Sequence, residues 1–283
     1  MSDVLVYAHS SRVDAARTLL AAACSTTGLG ARLDVYGSGS LYQRLGPRRA
    51  APMPDLVWWF GPYAAQAASV DGLLQAYQPA RVADGALHDP QWRWLALEHS
   101  AVGIVGTGVG GWQDLGSVPR LAMADPERSE VGLMLVLASL DRARQVDGDS
   151  ERGWAWWQQR ARDGLVLAED DAGAVALVQS GRATHALTLD PVGSPLAGLA
   201  PVPHAIGVAA PSRNVDAARR MLDWLASDAA ATWLTLSPWQ GASNGLSSLQ
   251  QAAPTLDVDW GRHQYVATRQ RWAQSGFGPS LEA

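Results

Sequence analysis

The chain has 283 residues, a net charge of −5 and a globular composition, 47% apolar and 17% charged, which suits two lobes or one large α/β domain. All 22 basic residues are arginine and they form no basic run, which excludes lysine chemistry and makes nucleic acid an unexpected partner. No apolar run approaches the roughly 20 residues of a membrane span, so no membrane insertion is predicted.

Strands and helices alternate over the first part of the chain. Apolar runs rich in β-forming residues are each followed by a loop and then by a segment of helical length. This alternation predicts an α/β fold with helices on both faces of a sheet that is mostly parallel. Strands are predicted at 3–8, 31–36 and 55–60, and helices at 13–25, from 41, and at 63–69.

The pattern becomes irregular after Pro79 and resumes at Leu121, which predicts a second α/β unit. The units are joined near residues 98–103 and 200–206. Strands are predicted at 94–98, 101–105, 121–124, 165–168, 184–189 and 204–209, and helices at 129–144, 150–162, 171–180 and 214–226. Three tryptophans on one of these helices, Trp154, Trp156 and Trp157, are expected to pack in a core.

The segment Gly106–Gly111 (GTGVGG) fits the G-x-G-x-x-G spacing of dinucleotide-binding loops. Nine residues, two of them Gly116 and Pro119, separate it from the next predicted strand, which leaves no room for the crossover helix that such a loop needs. The acid Asp125 also comes about 14 residues after Gly111, where roughly 20 is usual. The sequence therefore predicts a glycine turn between strands, and no cofactor is expected.

Four segments, in chain order, resemble parts of bacterial extracellular solute-binding proteins of ABC transporters, in the group that includes ferric-iron and phosphonate binders. The first is DLVWWFGP at 55–62 with VDGLLQAYQP at 70–79, and the second is GWQDLG from 111 with LAMADPERSE from 121. The others are AVALVQSGRATHAL from 174 and HAIGVAAPSRNVDAARRMLDWLASDAA from 204. The segments occur in the family's order, and the resemblance they indicate extends over most of residues 1–240.

The resemblance implies a type 2 periplasmic-binding-protein-like fold of two lobes with the ligand cleft between them. Lobe 1 would comprise residues 1–100 and 203–283, and lobe 2 residues 101–202, with 240–283 also able to pack on lobe 2. The protein would be a monomer that captures a small solute by hinged closure and works with the permease subunits of an importer. The iron binders have two tyrosines after the strand that here ends Thr188-Leu-Asp190, so ferric iron is not expected.

Candidate ligand-binding residues follow the predicted strand ends, where loops and helix N-termini converge. Serine hydroxyls and backbone N–H groups at a helix N-terminus bind anions, so a small oxyanion or phosphonate-like anion is the expected ligand. Each serine could instead only cap its helix. The ligand-binding residues expected outside the aromatic segment are His9, Ser10, Ser11, Ser38, Gly39, Ser40, Ser129, Glu130, Thr188 and Asp190.

The aromatic residues Trp58, Trp59 and Phe60 close the third predicted strand. Neighbouring strand residues point to opposite faces, so the register decides whether Trp58 or Trp59 faces the cleft. Trp59 and Phe60 are expected to line the ligand site, and the alternative is that the cluster packs between sheet and helix. Aromatic walls would favour an organic or cationic ligand over a bare inorganic ion.

No motif for catalysis or metal binding is present. His9, His185 and His204 lie in or beside strands without a nucleophile or metal-ligand spacing, so neither an enzyme nor a metal protein is predicted. An intracellular ligand-sensing or degenerate binding domain, or an enzyme on the same scaffold, stays open as an alternative. The resemblance implies a periplasmic or extracellular protein, whereas the start MSDVLVYAHSS lacks the regions of an export signal, which leaves a removed signal or a cytoplasmic location open.

Overall fold

The computed structural model describes residues 3–36, 40–46, 52–82, 86–189, 194–236 and 255–277. These residues form two compact units, one within Met1–His99 and Pro203–Gln240, and the other within Ser100–Val202 and Gly241–Ala283. Each unit has its own sheet. Within the described ranges, none of the helices combines the length and the apolar character of a membrane span.

The sheet of the first unit is mixed. Its strand order is β2-β1-β3-β11-β4, with β5 also paired to β11. Strand β1 is parallel to β2 and β3, whereas β11 is antiparallel to β3 and β4. The alternation predicted a mostly parallel sheet, and this sheet departs from the prediction at β11, the strand in which the chain returns from the second unit. The strands are β1 Val4–His9, β2 Ala31–Tyr36, β3 Leu56–Trp58, β4 Leu74–Gln75, β5 Leu95–Ser100 and β11 Val202–Ala209.

Helices cover this sheet and share its apolar core. The first begins at Val13 and ends at Thr27, and the next residue, Gly28, terminates it with a left-handed φ of 70°. Alternate residues of β1 face the same core as Trp58 and the apolar face of the helix 215–225. The helices of this unit are α1 Val13–Thr27, α2 Ser40–Arg44, α3 Tyr63–Val70, α7 Val215–Leu225 and α8 Asp228–Leu236.

The second unit has a sheet in the order β10-β6-β9-β7-β8. Strand β7 is parallel to β8 and β9, whereas β6 is antiparallel to β9 and β10. Because β6 and β7 are not neighbours, the glycine segment between them is not part of a parallel β-α-β crossover. The strands are β6 Gly103–Val105, β7 Leu121–Ala124, β8 Val166–Ala168, β9 His185–Thr188 and β10 Ser194–Pro195.

The first turn of helix α4 lies directly on the end of β7. A Cβ atom at Gly132 would lie 2.1 Å from the carbonyl oxygen of Ala124, which only a glycine permits. The helix is buried from Glu130 to Asp141, as a central helix requires. The helices of this unit are α4 Glu130–Asp147, α5 Ser150–Arg162, α6 Asp171–Gln179 and α9 Val258–Ser275.

Tryptophans join α9 to the core of the second unit. Trp157 is buried, its indole N–H donates to Ser139 Oγ at 2.8 Å, and its ring lies 5.5 Å from that of Trp272 on α9. Trp154 is buried in the same group. The predicted core packing of Trp154 and Trp157 is confirmed, while Trp156 is half-buried with its ring 4.3 Å from that of Trp112.

Candidate functional site

The glycine segment forms a turn whose amides are held by the protein itself. Gly106 and Gly108 take positive φ angles of 125° and 82°. A 3-10 helix, Trp112–Ser117, follows, and Asp114 Oδ2 accepts from the N–H groups of Gly110 at 3.0 Å and Gly111 at 2.9 Å. A bound pyrophosphate would need these same backbone amides as hydrogen-bond donors. An acid three residues after a helix start is a capping-box signal, by which Asp114 could have been found in the sequence.

The carboxyl end of β1 brings His9 and Ser11 together. Ser11 donates its backbone N–H to His9 Nδ1 at 3.2 Å, and Ser11 Oγ lies 2.7 Å from the same nitrogen. Nδ1 is thus an acceptor, which assigns the ring proton to Nε2. His9 is buried, Ser11 is half-buried and Ser10 is exposed. The turn Ser10–Arg12, a short 3-10 helix, leads into α1, which has no side-chain cap at its N-terminus.

The last residue of this turn, Arg12, pairs with Glu98 on β5. Arg12 Nε donates to Glu98 Oε1 at 2.8 Å, and Arg12 Nη2 donates to Oε2. Arg12 is buried, and the side chain of Glu98 is 11% exposed. The sequence analysis missed both residues, because an arginine and a glutamate 86 positions apart carry no local signal of their pairing.

The aromatic residues at the end of β3 and directly after it are all buried. Trp58 belongs to the core beneath α1 and α7, and Trp59, next along the extended chain, is on the other face of the sheet. Both indoles are buried, and neither Nε1–H has a hydrogen-bond partner among the described residues. The Phe60 ring lies 5.5 Å from the His9 ring and 4.7 Å from the His204 ring, both in tilted arrangements, so these three side chains form one aromatic cluster.

Burial favours the neutral form of three histidines of the first unit, His9, His99 and His204. It lowers the pKa of His9 to about 4, and the charge of Arg12 lowers it further in the same direction. Burial, followed by the charges of Arg12, His99 and His9, holds the pKa of His204 well below its usual range. Burial also lowers the pKa of His99. An imidazole with a pKa near 4 is a weak base at neutral pH, so the His9–Ser11 contact is poorly suited to activating a serine nucleophile.

In the second unit, Ser129 and Glu130 start α4. Ser129 Oγ accepts from the Gly132 N–H at 3.4 Å, so this serine caps its helix. Glu130 is buried, with Tyr265 Oη 2.6 Å from each of its carboxylate oxygens and Arg269 Nη2 3.2 Å from one of them. Both partners belong to α9, where the sequence analysis identified no element.

Of the remaining expected site residues, two lie within the described ranges and three lie outside them. Thr188 is completely buried at the end of β9, opposite Gly103. Ser40 is the first residue of α2. Ser38, Gly39 and Asp190 lie outside the described residues.

The structure brings together His9, Ser11 and Phe60 of the expected site residues, and it adds His204, Arg12 and Glu98 to their surroundings. In the part of the chain that the structure describes, His, Cys, Asp and Glu residues form no group of three or more able to hold a metal ion. The arrangement therefore combines a serine hydroxyl, neutral and aromatic rings, and the Arg12–Glu98 ion pair.

The chain is similar to one protein family and to several solved structures. The family model for the bacterial extracellular solute-binding protein matches residues 4–235. The apo ferric ion-binding protein A of Pasteurella haemolytica has a TM-score of 0.78 at 13% identity, covering 100% of both chains. The ferric binding protein of Campylobacter jejuni has a TM-score of 0.76 at 14% identity, covering 96% of this chain and 99% of the other.

A third solved structure carries a bound sugar phosphate. The periplasmic binding protein AfuA from Actinobacillus pleuropneumoniae, with exogenous fructose-6-phosphate bound, has a TM-score of 0.65 at 14% identity, covering 96% of this chain and 97% of the other. No curated protein sequence matched the chain. At these identities the structural likeness establishes the two-lobed α/β fold.

Proposed function

Since the chain belongs to the family of bacterial extracellular solute-binding proteins, we propose that it captures a small oxyanion or phosphonate-like anion for an ABC importer. The turn at the start of α1 carries this proposal. Ser10 is exposed there and α1 has no side-chain cap. The Val13 N–H already donates to the Ser10 carbonyl oxygen, so the proposed anion would be attracted by the N–H groups that follow it in the first turn of α1.

The donors around this turn are neutral. His9 stays uncharged above its lowered pKa of about 4, and Arg12 is already paired by Glu98. A small anion held by hydroxyl and amide groups needs no counter-charge from a side chain, because the helix dipole supplies part of the attraction.

The second unit supplies fewer candidates to this proposal. Ser129 already caps α4, and Glu130 is a buried carboxylate that would repel an anion. We therefore assign the first contacts with the ligand to Ser10 and Ser11, with His9, Trp59 and Phe60 around them. Closure of the two lobes over the ligand, recognition by permease subunits, a monomeric state and an extracytoplasmic location complete the proposal.

Two relatives bear on the ligand class. AfuA binds fructose-6-phosphate, a phosphate monoester, which fits a site for oxyanions. The ferric binding proteins are similar in fold, but the segment around Thr188 and Leu189 has no tyrosine at which to hold iron. Phosphate, phosphonates and phosphate esters are accordingly the first compounds to test.

The experiment is thermal unfolding, followed by tryptophan fluorescence, against phosphate, sulfate, methylphosphonate, fructose-6-phosphate, ferric citrate, thiamine, amino acids and NAD. A ligand present at a hundredfold over its dissociation constant stabilises the folded state by about 2.7 kcal/mol, which raises the unfolding temperature by a few degrees. A shift with oxyanions supports the proposal. A shift confined to thiamine or amino acids refutes the ligand class and leaves the family unaffected.

A further inference from the structure

The turn Ser10–Arg12 is fastened to a distant strand through its last residue. The guanidinium of Arg12 holds both carboxylate oxygens of Glu98, through Nε to Oε1 at 2.8 Å and through Nη2 to Oε2. The two side chains are 6% and 11% exposed. A paired contact of this kind fixes orientation as well as distance, because guanidinium and carboxylate are both planar.

Glu98 lies on one of the two strands in which the chain passes between the units. Residues to His99 belong to the first unit and Ser100 begins the second, and both lie in β5. The chain returns between Val202 and Pro203, within β11. We call β5 and β11 the crossing strands, and they are paired with each other.

The other crossing strand approaches the same turn. His204 follows the return point by one residue, and its ring is 4.7 Å from the Phe60 ring, which in turn is 5.5 Å from the His9 ring. Arg12, His9 and His99 each contribute to the electrostatic environment of His204. The turn is thus linked to β11 indirectly, through the Ser11–His9 contact and the rings of His9, Phe60 and His204, and to β5 directly, through the ion pair.

We propose that Arg12 is a positioning residue of the ligand site, which fastens the Ser10–Arg12 turn to β5 so that the turn and the crossing strand change conformation together. If the turn moved without β5, the Arg12 guanidinium would be separated from the Glu98 carboxylate. Two largely buried charges would then be left uncompensated, which is strongly unfavourable. The assignment of the turn as a ligand site rests on the proposed function. The link between turn and strand rests on the ion pair itself.

The test compares the wild type with the double variant Arg12→Met/Glu98→Leu. Replacing both partners by apolar residues of similar volume leaves no unpaired buried charge, so this variant is expected to fold. The matched control is Arg32→Met/Asp34→Leu, which removes a similar two-bond pair on β2, where Arg32 is 56% exposed. Three measurements are made: thermal unfolding, calorimetric affinity for phosphate, sulfate and methylphosphonate, and hydrogen–deuterium exchange of peptides covering 8–14 and 94–99.

We expect the double variant to unfold near the wild-type temperature and to exchange faster in both peptides. Its affinity should fall about tenfold or more, the loss that follows when residues supporting a metal ligand are replaced. The control should match the wild type throughout. Unchanged affinity in the folded double variant overturns the proposal. Lost affinity without faster exchange in both peptides makes Arg12 a direct ligand contact, which also overturns it.

The same experiment gives a different result if the proposed function is wrong. If the wild type binds none of the three anions, the ligand class is wrong, and hydrogen–deuterium exchange of the double variant alone decides the present proposal. Faster exchange in both peptides supports the proposal, and any other result overturns it. If the double variant does not fold, Arg12→Lys replaces it with the same expectations, because lysine keeps the charge but lacks the planar fork.

Discussion

The phenol oxygen of Tyr265 lies 2.6 Å from both carboxylate oxygens of Glu130, although the residues are 135 positions apart. Arg269, one turn further along α9, contacts the same carboxylate at 3.2 Å. Burial, followed by the charge of Glu130, raises the pKa of Tyr265 well above its usual range, so the phenol stays protonated and donates. The C-terminal helix therefore stabilises the first turn of α4.

Tyr265→Phe should lower the free energy of unfolding by about 2 kcal/mol, because hydrogen bonds to charged groups contribute roughly 1.5–3 kcal/mol. Urea denaturation measures this change. The control is Tyr42→Phe, which removes a phenol hydrogen bond to Asp71 at an exposed position, where the loss should stay below about 0.5 kcal/mol. Equal losses in the two variants would contradict the special role of Glu130.

Ser10→Ala and Ser129→Ala should separate ligand contact from helix capping. Ser129→Ala removes the cap of α4 and should lower stability by about 1 kcal/mol while leaving anion affinity unchanged. Ser10→Ala removes an exposed hydroxyl at the proposed ligand turn and should lower affinity for phosphate with little effect on stability. Calorimetry and urea denaturation of both variants check this pair, and the reverse result would move the site to α4.

Stability should fall as the pH is lowered from about 6.5 towards 4. His9 has a folded-state pKa of about 4 against an ordinary value of 6.5, so the unfolded chain binds more protons in this window and acid favours unfolding. His9 alone accounts for about 3 kcal/mol over the full window, and His204 and His99 act in the same direction. Urea denaturation at several pH values measures the slope.

His9→Asn keeps an acceptor for the Ser11 N–H but removes one titrating group. The slope of stability against pH should therefore be shallower in this variant than in the wild type, with the difference confined to pH 4–6.5. A slope that matches the wild type would mean that His9 is not buried as described.

Gly132→Ala should destabilise the second unit. The added Cβ would lie 2.1 Å from the Ala124 carbonyl oxygen, so α4 must move away from β7, at a loss of about 2 kcal/mol. Gly116→Ala is the matched control, because no atom lies within 4 Å of its added Cβ and its effect should be within about 0.5 kcal/mol. Thermal unfolding of both variants shows whether the loss of stability comes from the close packing of α4 on β7 or from replacing a glycine at any position.

Helices and strands could be predicted from the sequence because the residue patterns that specify them lie within a few positions of one another. The bounds of β2, β7 and α5 agree with the predicted ones, since strand alternation, helical spacing and N-cap residues act within a few positions. The glycine turn after Val105 was also predictable, because too few residues follow it for a crossover helix. Segment order alone sufficed to indicate the family.

Only the tertiary structure decided which side chains meet. Arg12 and Glu98, or Tyr265 and Glu130, are paired by contacts between elements far apart in the chain. The direction of β11 depends on how the chain returns to the first sheet, which no local pattern specifies. Burial of both Trp58 and Trp59 likewise required each face of that sheet to be covered by other elements, and such packing energy arises only once those elements are assembled.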